Sequence, residues 1–531
     1  MTTRAKVERQ KAKSENGFII PAVLSLMVAL SIITSAVVIL IDSNFSLVSR
    51  NIQSQQAFNI AEAGINYYLW HLSHNATDYK DGQSTPATPT SLGYGPYTHN
   101  YVDALAKNEG TFKLYINPVG GGSSIVKVRS IGQVKNTDFT RTVEAQIGAP
   151  SFASYAILSD SALWFGNNEV ADGPVHSNVG IRMDGSSNSD ITSANSTYVP
   201  SVSVGGDGSA HPGVWCSTLV TSPVNCNTRS KTDWRYPVPT IDFNQVSGTL
   251  CTIKKAAFAA NASTASLATL ANACSQTPNT RTNAYIPQRS SSANNSRGYY
   301  INLNSNNTYD LYTVNNVKDT MTDYSSALSP TLVATNIAVP ANGVIFAEDN
   351  VWVRAGTTFS GRLTLASGRL ATSVTTNLTI VDNLKYSTKN GSDAIGLMAE
   401  GDIWIAPYAP PTTSSFTFEV NAAVIAGTGN VFYPSNYTFS NTTCTRGWVS
   451  PNQTLLFYGS IAVRQTWTWS WDWGTNHCGD NVYDSSSGSY ISGFKYNTTK
   501  YDYNLLYNPP PSWPITSSYN FLSWREVLVR P

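Results

Sequence analysis

Acidic side chains that could perform acid–base chemistry are grouped in the second half of the chain. Four fall within a short stretch, namely Asp382, Asp393, Glu400 and Asp402, and two arginines precede them, Arg354 and Arg362. Polysaccharide hydrolases and lyases use such carboxylates in a groove. Each acid here begins or ends a turn close to glycine or asparagine, where a carboxylate accepts backbone hydrogen bonds. We therefore interpret them as turn caps and predict no catalytic residue, with a polysaccharide enzyme as the alternative.

Other catalytic signals are weak. His176 stands in a Gly-Pro-Val-His-Ser-Asn segment between two short strands, where a hydrogen-bonded turn residue is a better interpretation than a general base. The sequence contains no Gly-x-Ser-x-Gly, His-Glu-x-x-His or Gly-x-Gly-x-x-Gly motif and no Gly-Lys dipeptide. These absences exclude zincin and phosphate-loop NTPase chemistry. We predict a protein that is not an enzyme and that uses no cofactor.

The six cysteines all follow the apolar N-terminal segment: Cys216, Cys226, Cys251, Cys274, Cys444 and Cys478. An even number outside the cytoplasm predicts three disulfides. Because short loops close most easily, we favour pairing each cysteine with its neighbour in sequence. A zinc site that uses His477 beside Cys478 is the alternative, but the other ligands lack metal spacing, so no metal is predicted.

Four of the thirteen tryptophans alternate in one segment, at Trp467, Trp469, Trp471 and Trp473. On a strand all four would project from the same face. An exposed face of this kind would form an aromatic platform for sugar rings or a host-cell partner. We favour the other interpretation, in which the tryptophans pack over the wall of the domain or under a Cys444–Cys478 loop, because four exposed tryptophans would promote aggregation.

The N-terminus combines a basic leader with a long apolar run. Residues 1–17 carry five basic and two acidic side chains, and an uncharged apolar segment follows over 18–41. That segment is long enough to cross a bilayer, with the leader on the cytoplasmic side. Because Pro21 lies in the first turn and no further proline occurs before residue 86, one helix is predicted over 18–74.

Three interpretations fit this N-terminus. A secretory signal peptide would have a shorter apolar core, and a plain signal anchor would keep its leader. The third rests on Gly17 before Phe18 and on Gln56-Ala57-Phe58 leading into Ala61-Glu62-Ala63-Gly64-Ile65. With these residues the chain resembles the type IV pilins, and among them the PilX-like minor pilins. The resemblance implies that prepilin peptidase cleaves after Gly17 and methylates Phe18, and that the helix binds other pilins.

One position departs from the pilin pattern. The fifth residue after the expected cut is Ala22, where most major pilins carry a glutamate that pairs with a neighbouring subunit's N-terminal amine. The resemblance therefore implies a minor subunit rather than the bulk of a filament.

Composition agrees with an exported β-rich protein. Only 13% of residues are charged, and removing a leader of net charge +3 from a chain of net charge +1 leaves −2. Nucleic-acid binding by bulk charge is not expected.

The strand patterns divide the chain into two parts. A polar loop is expected over 78–97, and alternating segments at 111–117, 125–131 and 140–147 predict an antiparallel β-meander, so we place a pilin-like module at 18–150 with its sheet in 75–150. From 151 to 531, short strands separated by glycine and asparagine turns predict a β-solenoid head, with a Cys-rich insertion at about 186–335. The predicted fold class is mainly β with one long N-terminal helix.

These expectations combine into a functional prediction. We expect a minor pilin or pilus-tip protein that waits in the cytoplasmic membrane and then presents its head at the cell surface for adhesion or partner binding. A membrane-anchored β-helix lyase or hydrolase is one alternative. A pseudopilin of a secretion or DNA-uptake machine, which has the same N-terminus, is the other.

Overall fold

The computed structural model shows a mainly β protein with one long N-terminal helix, which confirms the predicted fold class at that level. The described residues are 19–74, 80–118, 125–148, 150–167, 169–217, 226, 230–289, 297–317, 324–406, 417–433, 454–472, 482–484, 488–494, 496–516 and 519–527.

The first helix, α1, runs over Ile19–His74. Its second half packs on an antiparallel sheet that we call the module sheet. In the described chain this sheet has six strands, in the order Pro89–Thr90, Gly93–Val102, Asn108–Pro118, Ile125–Val134, Thr140–Gly148 and Asn520–Glu526. Burial alternates along Ile125–Val134, as the sequence pattern predicts, because one face of the strand covers the helix and the other faces away.

Small residues bring α1 close to the module sheet. A Cβ atom at Gly132 would lie 2.2 Å from the carbonyl oxygen of Ala57 and 2.4 Å from the amide nitrogen of Ala61. One turn further along the helix, a Cβ at Gly64 would lie 2.3 Å from Oγ of Ser130. The Ala-Glu-Ala-Gly segment therefore lets helix and strand touch through backbone atoms.

The rest of the described chain is built on two large sheets. The long sheet contains eleven described strands, all paired in parallel, and most of its path runs in the order Trp234–Arg235, Ile191–Ser193, Val175–Ser177, Ile157–Ser159, Thr454–Val463, Thr417–Ala426, Ala394–Ala399, Arg362–Ser367, Val344–Ala347 and Tyr285–Ile286. Tyr496–Tyr501 pairs with the first half of Thr454–Val463. Between residues 344 and 468 the chain alternates between this sheet and a second one.

The second sheet faces the long sheet across a hydrophobic core. Its eight described strands are, in order, Thr331–Ala338, Thr308–Val314, Gly298–Leu303, Asn350–Ala355, Leu378–Ile380, Ile403–Ile405, Val431–Phe432 and Trp467–Thr468. The last six pair in parallel and the first two are antiparallel. A smaller parallel sheet of Leu163–Phe165, Ile181–Met183 and Val214–Trp215 stands opposite the other part of the long sheet.

The order of strands shows that the chain does not build the long sheet from end to end. It starts in the middle at Ile157–Ser159 and proceeds to the edge at Trp234–Arg235. Helix α2, Asn244–Ala259, then packs its apolar side on the outer face of the sheet. The chain resumes at the opposite edge with Tyr285–Ile286 and returns until Thr454–Val463 pairs with the starting strand.

Two features differ from the expected domain organisation. The stretch expected as an insertion, about 186–335, contributes edge strands to both large sheets, because its few apolar residues fall in register with neighbouring strands. Asn520–Glu526 leaves the head and pairs with Thr140–Gly148 in the module sheet. The head is therefore inserted between two adjacent strands of the module. The stretch expected as an insertion also contains a short helix, α3, at Tyr324–Leu328.

Candidate functional site

The first half of α1 is the most exposed apolar surface of the described chain. Every residue from Ile19 to Ile52 is exposed, and within the helix the first charged residue is Asp42. The helix is long and apolar enough to cross a membrane, judged by length and composition. At about 1.5 Å per residue, its uncharged part exceeds the roughly 30 Å hydrocarbon core of a bilayer. This surface is our candidate functional site.

Three hydroxyl side chains in the uncharged part of α1 are suited to apolar surroundings. The hydroxyls of Ser25 and Ser31 donate to the carbonyl oxygens of Ala22 and Val28, at 2.9 and 2.8 Å. Thr34 donates to the carbonyl of Leu30 at 2.9 Å. Because these three hydroxyls are satisfied within the helix, they need neither water nor a partner chain. Gly17 and Phe18, the predicted processing residues, lie outside the described residues.

Two tryptophans of the alternating segment, Trp467 and Trp469, pack against neighbouring aromatic rings. Trp469 is 4% exposed, its ring stacks on Phe457 with centroids 5.5 Å apart, and its Nε1 donates to Oγ1 of Thr499. Trp467 packs against Phe165 at 5.9 Å. The chain changes sheets at Trp469 instead of continuing as one strand, so this ring packs inside the head and takes no part in an exposed aromatic face.

Trp471 is the third tryptophan of the segment that the structure describes. Trp471 is half-buried and its Nε1 donates to the carbonyl oxygen of Tyr433 at 2.7 Å. Trp473 lies outside the described residues.

The four grouped carboxylates do not converge on a substrate site. Asp382 pairs with Arg354 at 2.9 Å. The other three accept backbone N–H groups: Asp393 from Gly361, Glu400 from Arg369 and Asp402 from Asn430, at 2.7–2.8 Å. Arg362 donates to three backbone carbonyls, of Gly391, Asn508 and Pro509. Each of these groups already stabilises a turn.

His176 is likewise held by neighbours in the sheet. Its Nδ1 lies 3.0 Å from Oγ1 of Thr192 and its Nε2 lies 3.0 Å from Oδ1 of Asn178. Burial lowers the pKa of the imidazole. The ring is therefore a neutral hydrogen-bonding group inside the head.

Two disulfides occur in the described chain, Cys216–Cys226 and Cys251–Cys274. The third expected pair, Cys444 with Cys478, lies outside the described residues, as does His477. Among the residues that the structure describes, no group of three or more histidine, cysteine, aspartate or glutamate side chains has metal-binding geometry.

Sequence reasoning missed two polar clusters in the head. In the first, the guanidinium of Arg182 lies between the rings of Trp164 and Trp215, 4.8 and 5.3 Å from their centroids, because the three residues are in register on neighbouring parallel strands. The second is a buried pair of Lys254 and Glu348 beneath α2. The signal for it was present, since Lys254 stands at helical spacing from the apolar residues of α2.

Comparisons with known proteins identify no family for this chain. No protein-family profile matches the chain, and no curated protein is significantly similar to it. Among solved structures, the competence-associated pilin ComZ from Thermus thermophilus is similar over 90% of this chain and 98% of its own, with 14% sequence identity and a TM-score of 0.27. A score this low does not define a shared fold.

Proposed function

We propose that this protein is a pilin-like subunit that is held in the membrane by α1, assembles with other pilins through the same helix, and displays its β head outside the cell. The observation that carries the proposal is the division of α1. Its second half packs on the module sheet through close contacts at Gly64 and Gly132, while its first half, 19–52, is exposed and carries no charged side chain over 19–41. An apolar surface of this size needs lipid or neighbouring helices around it.

We further propose that the head is a β-solenoid with no catalytic role. Parallel in-register strands that alternate between two facing sheets support the solenoid, since each chain turn then adds one strand to each sheet. The engagement of Asp382, Asp393, Glu400 and Asp402 in turns supports a non-enzymatic head. The two disulfides fit display in an oxidising compartment.

The test is the N-terminus of the protein taken from cell membranes. Intact-mass analysis should find a chain that begins with N-methylated Phe18. Gly17→Glu should block processing, whereas Ser14→Ala, a leader substitution away from the junction, should be processed normally. A mature chain that begins at another residue, or an uncut leader in the natural protein, would remove the pilin assignment.

We propose a minor, tip-located subunit rather than a shaft subunit. A head of several hundred residues repeated at every step of a helical filament would collide with its neighbours, while a single copy at the end meets no such limit. The neutral Ala22 supports this placement, because a carboxylate without a partner amine is costly in an apolar bundle. Immunogold labelling and quantitative mass spectrometry of sheared pili should find few copies, at filament ends. Even labelling near the abundance of the major pilin would contradict it.

A further inference from the structure

A charged cluster lies between α2 and the outer face of the long sheet, closed off from solvent. The side chain of Lys254 is 0% exposed, and its Nζ contacts Oε1 of Glu348, which is 1% exposed. The same Nζ donates to the carbonyl oxygen of Cys274 at 2.9 Å. The rings of Phe258 and Phe346 flank it, with centroids 5.9 and 5.7 Å away. An amine and a carboxyl are thus held in contact in an aromatic pocket.

The pocket stabilises the charges of this pair poorly. Neither carboxyl oxygen of Glu348 accepts a well-formed hydrogen bond from the described residues. Burial lowers the pKa of the Lys254 amine and raises the pKa of the Glu348 carboxyl. In both cases burial is the largest influence and favours the neutral form, whereas the contact between the two groups and the nearby Tyr285 and Arg369 act in the opposite direction. A neutral amine is a nucleophile, and a protonated carboxyl is the form of the acid that a nucleophile can attack.

A second carboxyl faces the same space. Glu348, Gly368 and Glu400 each follow the last residue of three neighbouring parallel strands, whose ends are in register. Gly368 lies beside this pocket, since a Cβ there would lie 3.6 Å from Oε2 of Glu400 and 3.5 Å from the ring of Phe346. Glu400 interacts electrostatically with Lys254, and burial raises the pKa of its carboxyl.

We propose that Lys254 and Glu348 join in an intramolecular amide bond. Nζ attacks Cδ of the protonated Glu348 carboxyl, the N–C bond forms, and the C–OH bond breaks. One proton from Nζ leaves with that hydroxyl as water, so the reaction is a condensation without change of oxidation state. Glu400 acts on Lys254 electrostatically, while its Oε2 accepts the amide N–H of Arg369 at 2.7 Å.

The bond would fasten α2 to the long sheet by a covalent link that reducing agents do not break. It lies one helical turn after Cys251, whose disulfide with Cys274 ties α2 to the segment that supplies the carbonyl acceptor of Lys254. Disulfide and amide would together secure the crossing of α2 over the sheet.

The decisive measurement is made on the natural full-length chain purified in detergent. Its intact mass should be lower than the sequence mass by one water, beyond the hydrogens lost in disulfides and any N-terminal processing. After reduction, alkylation and trypsin digestion, peptide 236–255 should appear joined to peptide 319–354, with Lys254 uncut. Separate unmodified peptides from both regions, with no water missing from the whole chain, would overturn the proposal.

Variants distinguish the bond from an ordinary ion pair. Lys254→Met should restore the missing water, while Lys255→Arg, which changes the neighbouring and partly exposed lysine of α2 but keeps its trypsin site, should leave the branched peptide in place. Since the natural protein alone reveals the bond, the conclusion does not depend on a variant that folds.

Discussion

At the scale of single residues, the exposed fraction distinguishes a tryptophan in the core of the head from one at its surface. Trp469 is packed on Phe457 and is 4% exposed, whereas Trp164 is 44% exposed and covers Arg182. Trp469→Ala should cost about 3–5 kcal/mol of unfolding free energy through the cavity it leaves. Trp164→Ala should cost less, about 1–2 kcal/mol, because it loses a cation–π contact and one hydrogen bond to Asp184.

Chemical denaturation of the full chain, followed by far-UV circular dichroism, would compare the unfolding free energies of these two variants. If Trp469→Ala were as stable as the natural protein yet lost attachment to cells, the tryptophan segment would be a binding face after all.

A carboxyl in the module sheet gives a pH-dependent stability. Burial alone would raise the pKa of Glu144, but hydrogen bonds from Arg129, Arg525 and Lys127 outweigh it and lower the pKa from 4.5 to about 2. A lowered folded-state pKa stabilises the fold above pH 4.5, and this contribution disappears as the pH falls towards 2. Glu144→Gln should therefore lose about 2–3 kcal/mol at neutral pH and show little further loss in that acid window.

The measurement is the thermal midpoint at neutral and acidic pH for both proteins. Glu109→Gln is the matched control, since its partner Lys107 is exposed and such pairs contribute little. An acid-induced decline of the same size in Glu144→Gln as in the natural protein would place the titrating group elsewhere.

At the scale of elements, the contact between α1 and the module sheet depends on glycine. Gly132→Ala puts a methyl group into backbone atoms of Ala57 and Ala61, which the helix cannot avoid without moving, so the module should lose about 1–3 kcal/mol. Gly248→Ala is the contrasting variant: it lies within α2 with open space around it, and should raise helix stability by about 0.5–1 kcal/mol.

Hydrogen exchange of the amides in Ile125–Val134 would locate the effect of Gly132→Ala. Protection equal to that of the natural protein would mean that helix and strand are not in direct contact.

Local patterns predicted the elements better than their partners. The proline spacing predicted α1, and alternation predicted Ile125–Val134, because both signals lie within the element itself. The first half of Gly93–Val102 fell within the loop expected over 78–97, since proline and glycine hide its alternation, yet the whole segment is a strand. Alternation also cannot say which edge a strand joins, so the pairing of Ile157–Ser159 with Thr454–Val463, some three hundred residues later, was not predictable.

The candidate site shows the same limit. The apolar face of α1 is continuous in sequence and was predicted with its length. The burial of Trp469 against Phe457 and the pairing of Lys254 with Glu348 depend on strands distant in the chain. Composition favoured packed tryptophans but could not name their partners, and it gave no sign of the Lys254–Glu348 pair.

At the scale of the whole molecule, the last described strand completes the module. Removing 519–531 would uncover the edge of Thr140–Gly148 and take Arg525 away from Glu144. The truncated protein should lose protection in that strand and be cleaved faster by proteases, because an open edge frays. Limited proteolysis followed by mass spectrometry would show it; equal cleavage rates would mean that the module sheet is stable with five strands.

The insertion of the head between neighbouring strands also determines how tension passes through the protein. The two connections run side by side, with the amide of Phe152 bonded to the carbonyl of Pro514 and that of Thr516 bonded to the carbonyl of Pro150. They enter the module where Gly148 is paired with Asn520, so a pull on the head draws both strands in one direction. Each of the two strands then bears about half of the load. The module sheet fails only when both strands slide out of it together, instead of one peeling away.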